Sequence, residues 1–207
     1  MKITMIQINP TVGDVENNLK KVKDAVRKAA ESKTDLAVFP ELSLIGYPPR
    51  DLLHKKQLIS RTNTAVKDLI DFSNKYPQMG IIIGAPVETG KDIGKGLYNS
   101  ALLISNGELL FTQYKSLLPS YDVFDETRYF DPADKVEPFS FKDEKLGITI
   151  CEDIWNDPDL WKNRHYNLEP VDILVKKGAS IIINISASPF HCGKDELRNG
   201  ILKNYVK

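Results

Sequence analysis

An abrupt change from apolar to charged residues occurs at Leu146-Gly147-Ile148-Thr149-Ile150-Cys151-Glu152-Asp153. The first five residues are enough for a buried strand, and the charged residues after Cys151 predict that the chain turns there. The apolar runs that end at Glu41 and at Lys115 have the same form. A carboxylate, an ammonium and a thiol, each at the end of its own strand, are therefore predicted to meet at one edge of a sheet.

The order of the predicted elements is typical of an α/β domain with buried central strands. Asp14 or Asn17 is expected to cap the first helix, and Asn106-Gly107 predicts a type I′ hairpin. The aperiodic segment 116–138 is long for a loop, which favours a functional role. Strands are predicted at 3–9, 36–39, 81–84, 98–104, 108–112, 139–141, 146–150 and 180–185, and helices at 16–32, 60–75, 170–177 and from about Asp195.

Composition narrows the class of protein. The 207 residues are 42% hydrophobic, and 28 basic side chains balance 28 acidic ones, so there is no basic surplus for nucleic-acid binding. No apolar run approaches the roughly 18 residues of a membrane span, and the N-terminal residues lack the features of a secretory signal. We therefore predict a cytoplasmic protein with neither a membrane nor a nucleic acid as partner.

The cysteines and histidines do not form a metal-binding pattern. Cys151 and Cys192 are accompanied by three scattered histidines and no CxxC motif, so we predict no metal. A disulfide between the two cysteines is conceivable, but the reducing cytosol argues against it. Cys192 lies in a predicted loop, without an acid or base at a sequence spacing that would indicate a catalytic pair, and we interpret it as structural.

Thiol-dependent amide cleavage needs a base, an oxyanion donor and an acid for the leaving amine. A lysine such as Lys115 beside Cys151 is expected to favour the thiolate and to face the oxyanion. Glu41 is expected to accept the thiol proton, deliver it to the amine and then activate water. Each residue alone has an ordinary structural explanation. The combination, with the backbone N–H of Glu152 as second oxyanion donor, predicts a cysteine amidohydrolase.

Three segments resemble the signature motifs of the nitrilase (carbon–nitrogen hydrolase) superfamily: 39–42, 114–119 and 151–155. The resemblance extends over the whole chain and implies a four-layer αββα sandwich. It implies that Glu41 is the base, Lys115 the electrostatic catalyst and Cys151 the nucleophile. Glu126 matches a second glutamate that positions the lysine in this superfamily.

Longer segments at 44–53, 118–130 and 184–194 look like the glutaminase domain of glutamine-dependent NAD synthetases. The resemblance implies that L-glutamine is hydrolysed through a thioester. Tyr121, Ser188 and Lys194 match glutamine-contacting positions of that family. Phe124, from segment 118–130, and Glu152, from segment 151–155, are further substrate-binding candidates. In such enzymes the ammonia passes to a C-terminal ATP-pyrophosphatase domain that amidates deamido-NAD.

The synthetase part has no counterpart in this sequence. The sequence contains no Ser-Gly-Gly-type pyrophosphate loop. The glycine-rich segment 90–96 is not placed between a predicted strand and a predicted helix, as a phosphate-binding loop would be. The chain ends inside a helical pattern, so we predict one domain, 1–207, truncated at its C-terminus. We expect this domain to need no cofactor and to form a homo-oligomer, whereas ATP, Mg²⁺ and deamido-NAD belong to the synthetase domain.

Two alternatives remain open from the sequence. One is a stand-alone amidase or carbamoylase of the same superfamily that acts on another small amide. The other is an inactive scaffold fragment, which the incomplete C-terminus makes plausible. The first would process amides without α-amino and α-carboxyl groups as fast as glutamine, and the second would hydrolyse none of them.

Overall fold

The computed structural model describes residues 1–157, 165–189 and 191–205. Short 3-10 turns occur at Arg50–His54, Glu126–Arg128 and Cys151–Ile154. Phe190, which belongs to the segment 184–194, lies outside the described residues. The strands and α-helices follow in the order β1 Ile3–Met5, α1 Val15–Glu31, β2 Leu36–Val38, α2 Lys56–Ser73, β3 Gly80–Glu88, β4 Leu97–Ser105, β5 Glu108–Tyr114, β6 Phe139–Phe141, β7 Glu144–Ile150, α3 Pro170–Lys176, β8 Ile181–Ile185 and α4 Lys194–Tyr205.

The strands form two sheets. The first has the order β1-β2-β3-β4-β5, and the second has the order β6-β7-β8. In the first sheet β1, β2 and β3 are parallel, whereas β4 is antiparallel to both β3 and β5. Two reversals of direction make β5 run the same way as β2. The ends of these two strands, which lead to Glu41 and Lys115, therefore lie at the same edge of the first sheet.

Alternating side chains divide the core into three apolar layers. Ile81 and Ile83 of β3 pack with α1 and α2, whereas Ile82 packs with the second sheet. Ile182 of β8 lies on the outer face of the second sheet, against the buried side chains of α3 and α4. Each fully buried aliphatic side chain contributes about 1.5–3 kcal/mol relative to exposure. The layers are thus helix, sheet, sheet and helix, and the predicted αββα sandwich is confirmed.

Most of the predicted elements occur, with different ends. The side chain of Asp14 accepts a hydrogen bond from the backbone N–H of Asn17, so Asp14 is the residue that caps α1. Asn106 and Gly107 have φ values of 49° and 76°, as the predicted type I′ turn requires. β1 ends at Met5 rather than Asn9, because its partner β2 has only three residues. None of the helices in the described parts of the chain has the length and apolar character needed to cross a membrane.

β3 is longer than the sequence predicts, and α2 begins earlier. Gly84 and Pro86 are residues that weaken a strand signal. β2 pairs with β3 only as far as Ile82, so Pro86 has no strand on that side that would need its missing N–H. The register with β4 continues to Glu88. α2 begins at Lys56, a turn before its apolar periodicity becomes visible.

Replacement of Gly84 by alanine is expected to lower the free energy of unfolding by about 3 kcal/mol, because overpacking against backbone cannot be relieved by a rotamer change. A Cβ at this position would lie 2.2 Å from the backbone N of Leu42 and 2.7 Å from the carbonyl carbon of Glu41. The measurement is urea unfolding of Gly84→Ala beside Gly200→Ala, where an added Cβ meets nothing within 4 Å. Equal stability of the two variants would contradict the expectation.

Candidate active site

Glu41 and Lys115 meet beyond the ends of β2 and β5. Lys115 is 0% exposed, and its Nζ donates hydrogen bonds to Glu41 Oε1 and to Glu126 Oε1, both at 2.8 Å. Glu126 begins the 3-10 turn within the long loop 116–138. Tyr47 donates to the same oxygen of Glu126 at 2.9 Å. One buried ammonium is therefore shared between two buried carboxylates.

Cys151 begins the 3-10 turn that follows β7, and its φ of 45° lies in the left-handed region. A non-glycine residue in that conformation costs about 1–3 kcal/mol, which must be offset by surrounding contacts. Asn184 Nδ2 donates to the carbonyl oxygen of Cys151, and Ser186 Oγ donates to its Sγ, both at 3.4 Å. The turn directs the sulfur out of the strand direction and into the interior, where the residue is 3% exposed.

The expectation of a single sheet edge was wrong. Glu41 and Lys115 follow strands of the first sheet, whereas Cys151 follows a strand of the second. The side chains converge because the two sheets pack face to face. Ala187, just after β8 in the second sheet, donates its backbone N–H to Glu41 Oε2 at 3.0 Å. The site is thus assembled across the interface between the sheets.

Asp153 connects the part of the site that follows the first sheet to the part that follows the second. Its Oδ1 accepts the backbone N–H groups of Ser116 and Leu117, and its Oδ2 accepts that of Ile150, all at 2.9 Å. The chain after Lys115 is thereby tied to the turn that carries Cys151. Burial raises the pKa of Asp153 to about 7, and the three N–H donors oppose that rise.

The charges in the cluster are strongly perturbed by burial and by one another. Burial alone would lower the pKa of Lys115, but Glu41 and Glu126 outweigh it and hold that pKa well above its usual value. Burial and, more weakly, Glu41 raise the pKa of Glu126, while Lys115 opposes the rise. Lys115 is accordingly an ammonium in the resting protein.

The net shift of the Cys151 pKa is upward, opposite to the effect expected from Lys115 alone. Burial, followed by the charge of Glu41, raises the pKa of Cys151 to about 12. Lys115 lowers this pKa, as expected, and the Ser186 hydroxyl lowers it further, but the two effects are smaller than those that raise it. The reason is that two carboxylates already face one ammonium, so a thiolate would add a third anion to a buried cluster.

A cavity of about 560 Å³ opens beside the turn that carries Cys151. The Glu152 carboxylate on its wall accepts hydrogen bonds from Tyr121 at 2.8 and 2.9 Å and from Tyr166 at 3.2 Å. Lys194 also lines this cavity, with its Nζ 5.3 Å from the centre of the Trp155 ring. Burial raises the pKa of Glu152, although Tyr121, Lys115 and Tyr166 oppose the rise. The wall therefore offers the Glu152 carboxylate and the Lys194 ammonium to a small polar ligand.

Residues 2–198 match the family model described as carbon-nitrogen hydrolase. The chain belongs to the carbon–nitrogen hydrolase family. It is 39% identical to a glutamine-dependent NAD(+) synthetase of Synechocystis sp., over 99% of this chain and 37% of that protein. A synthetase of the same description from Thermotoga maritima is 38% identical over 98% of this chain and 32% of its own length. This carbon–nitrogen hydrolase thus spans about a third of the length of the curated relatives it matches.

Solved structures show the same fold. The glutamine-dependent NAD+ synthetase of Acinetobacter baumannii superimposes with a TM-score of 0.85 and 30% identity, over 99% of this hydrolase and 36% of that chain. An amidase from Nesterenkonia sp. gives a TM-score of 0.81 at 20% identity, over 99% of this chain and 71% of that one. The second likeness concerns the fold alone.

The structure of this hydrolase brings Tyr121, Glu152 and Lys194 together on one cavity wall, where the sequence predicted substrate contacts. Phe124 is buried against the ring of Tyr121, 5.6 Å between centroids, but it lines an adjoining cavity of about 490 Å³ instead. Ser188 is half-buried and is not among the described residues that line the first cavity. Its neighbour Ala187 makes the contact with Glu41.

Both cysteines of the hydrolase are free, and Cys192 is not a core residue. It is exposed and lines the same cavity as Glu152 and Lys194. Cys192 precedes α4 in a turn, as the predicted loop requires, and it is exposed because α4 begins only at Lys194. Among residues 1–157, 165–189 and 191–205, no group of three or more His, Cys, Asp or Glu side chains is placed to hold a metal ion.

Several residues of the site were not predicted. Asn99 of β4 contacts both carboxylates of the cluster, Asp153 joins the two halves, and Tyr47, Tyr166 and Ser186 contact Glu126, Glu152 and Cys151. One signal was available for Asn99. It is a polar residue near the start of a strand in which all nine residues are buried, and a buried polar side chain requires a partner.

Proposed function

We propose that this hydrolase cleaves the side-chain amide of L-glutamine to glutamate and ammonia through a thioester at Cys151. The observation that carries the proposal is the fully buried Lys115 ammonium, which hydrogen-bonds Glu41 and Glu126 and interacts electrostatically with the Cys151 thiol. A buried charge is retained at considerable cost, and such perturbed groups cluster at functional sites. An acid–base residue, a cation and a nucleophile in one cluster suit acyl transfer.

The proposed reaction begins with a neutral thiol. Glu41 accepts the Sγ proton while sulfur attacks the amide carbon, and Lys115 and the backbone N–H of Glu152 stabilise the oxyanion. Glu41 then protonates the amine, the C–N bond breaks and ammonia leaves a thioester on Cys151. A water deprotonated by Glu41 attacks the thioester, and the S–C bond breaks to give glutamate and the thiol. Glu126 holds Lys115 in place throughout.

Glutamine as substrate is supported by the cavity wall and by the relatives. An amino-acid amide carries an α-ammonium and an α-carboxylate, which match the Glu152 carboxylate and the Lys194 ammonium in charge. Tyr121 and Tyr166 orient Glu152, because both hydroxyls donate to it. The relatives in Synechocystis sp. and Thermotoga maritima are described as glutamine-dependent.

Hydrolysis of glutamine is expected to exceed that of n-butyramide, which lacks both α-groups, by about 10²-fold or more in kcat/KM, because each lost charge-assisted hydrogen bond costs about 1.5–3 kcal/mol. The measurement is release of ammonia and glutamate. Lys194→Met is expected to raise the KM for glutamine while leaving butyramide hydrolysis unchanged. Cys151→Ala should remove hydrolysis of both amides.

Two outcomes would contradict the proposal. Equal kcat/KM values for glutamine and butyramide would indicate an amidase for another small amide. A folded protein that hydrolyses neither would indicate an inactive scaffold.

We further propose that the ammonia serves an ATP-dependent synthetase domain, which would require ATP, Mg²⁺ and deamido-NAD for itself. The support is that the relatives described as NAD(+) synthetases are about three times as long as the part this chain matches. In the protein that carries both parts, NAD⁺ formation from deamido-NAD should proceed with glutamine as well as with free ammonia. Success with ammonia alone would contradict this extension.

A further inference from the structure

Asn99 lies at the centre of the site, where it contacts the side chains of Glu41 and Glu126 and the backbone of Lys115. It is 0% exposed, and its Nδ2 donates to Glu41 Oε1 at 2.8 Å and to Glu126 Oε2 at 3.3 Å. Its backbone oxygen accepts the N–H of Lys115 at 2.8 Å. The side-chain amide has one possible orientation there, because the opposite one would turn its oxygen toward two carboxylates.

The hydrogen bonds distinguish the two oxygens of Glu41. Oε1 accepts from Lys115 and from Asn99, which occupy both of its lone pairs. Oε2 accepts a single bond from the described residues, the backbone N–H of Ala187. A base needs a free lone pair, so Oε2 is the oxygen that can take a proton.

The same amide restrains Glu126. Its Oε1 accepts from Lys115 and Tyr47, and Asn99 occupies a lone pair of Oε2. Both carboxylates are thereby held on fixed sides of one ammonium. Without Asn99, only the bonds from Lys115 and Ala187 would restrain rotation of Glu41 about its terminal bond, and the second lone pair of Oε1 would be open to a proton.

We propose that Asn99 is a positioning residue for amide hydrolysis, which fills the second lone pair of Glu41 Oε1 and confines proton transfer to Oε2. This rests on the proposed function only in that Glu41 acts as the base. It applies to whichever amide the protein hydrolyses. The charged and titratable groups that face Glu41 are Lys115, Glu126, Cys151 and Tyr47. Of these, Glu126 also loses a hydrogen-bond donor when Asn99 is replaced.

The test compares Asn99→Ala with the wild type and with Ser43→Ala. Ser43 is also buried, and its Oγ has no hydrogen-bond partner among the described residues, so its removal controls for loss of a buried polar atom. Asn99→Ala is expected to lower kcat by about 10²-fold, the scale at which a misplaced catalytic group acts, with KM within about 3-fold by the same argument. Ser43→Ala should leave both constants within about 2-fold, since no bond is lost.

The pH dependence of kcat distinguishes a positioning role of Asn99 from a purely structural one. A carboxylate with one donor fewer binds a proton more readily, so the acidic limb of the kcat profile is expected to move to higher pH by about one unit in Asn99→Ala. Asn99→Asp conserves volume and keeps the test interpretable if the alanine variant fails to fold. It should be the less active variant at pH 8 and recover in part toward pH 5, where a protonated carboxyl can donate to Glu41.

The proposal is overturned if Asn99→Ala retains wild-type kcat, or if kcat falls without any shift of the acidic limb. A fall in kcat for Asn99→Asp that does not recover on acidification overturns it as well. These outcomes differ from failure of the proposed function, in which the wild type itself would not hydrolyse glutamine. In that case the same comparison is made with the amide that the wild type hydrolyses best.

Discussion

Replacement of Lys115 by methionine is expected to lower the free energy of unfolding at pH 8 by about 3–5 kcal/mol, because it leaves buried charge uncompensated. The ammonium of Lys115 is the cation that hydrogen-bonds both Glu41 and Glu126, and all three side chains are buried. Methionine has nearly the same length and fills the space, so a cavity does not explain the loss. Amide hydrolysis should fall by about 10³-fold or more, since a preorganised oxyanion donor is removed.

The loss of stability should shrink as the pH is lowered. Glu126, a buried carboxylate left without its cation, binds a proton more readily in the folded variant than in the unfolded chain, where a glutamate ionises near 4.5. The folded variant therefore carries more bound protons than the unfolded one above that pH. Stability then falls as pH rises, and it returns on acidification toward pH 5. Burial already raises the pKa of Glu126 in the presence of Lys115.

Urea unfolding of Lys115→Met at pH 5.5 and pH 8 measures this effect, and Lys176→Met is the matched control. Lys176 forms an exposed ion pair with Asp172 on α3, and such pairs contribute about 0–1 kcal/mol. The control should be nearly as stable as the wild type at both pH values. Lys115→Met that is as stable as Lys176→Met at pH 8 would show that the buried carboxylates do not depend on the cation.

Cys192 is expected to react with N-ethylmaleimide roughly 10³-fold faster than Cys151 at pH 8, because thiolate is the reacting form. A pKa of about 12 leaves about one Cys151 thiol in 10⁴ ionised at that pH, far fewer than in a free cysteine. Cys192 is exposed on the cavity rim, whereas Cys151 is buried. Accessibility and ionisation therefore act in the same direction.

The rates can be separated with Cys192→Ser, which leaves Cys151 as the sole thiol, and with Cys151→Ala, which leaves Cys192. Labelling of Cys151 should increase about tenfold per pH unit between pH 7 and pH 10. In urea the two thiols should react alike, which controls for the reagent. Equal rates in the folded protein at pH 8 would mean that Lys115 does stabilise a preformed thiolate.

The three charged and thiol residues of the candidate site could be identified from the sequence because each follows an apolar strand. Glu41, Lys115 and Cys151 mark the points where buried runs become polar, and two of the strands run in the same direction. That these side chains meet between two sheets could not be predicted, because a residue's position at the end of a strand does not show to which sheet that strand belongs. The net direction of the Cys151 pKa shift could not be predicted for a related reason. The sign of that pKa shift depends on how many anions share the buried space.

Asn99 and Asp153 were missed because their partners are distant in sequence. Asn99 bonds residues 58 positions before it and 27 after it. Asp153 bonds backbone groups 36 and 37 positions earlier. A single polar residue in a buried strand indicates that a partner exists, but the register of two packed sheets decides which one. The prediction that β3 ends before Pro86 was wrong for a similar reason. A strand can contain a proline where no neighbouring strand needs its N–H, and that depends on where β2 ends.

The three backbone hydrogen bonds of Asp153 join the chain after Lys115 to the turn that carries Cys151. Glu41 and Lys115 follow strands of one sheet and Cys151 follows a strand of the other, so neither sheet carries all three side chains. For the proposed hydrolysis, the second sheet must therefore dock on the first before the three side chains can meet. An early folding form with one sheet complete would hold its thiol and its proton acceptor apart, and would be inert toward amides.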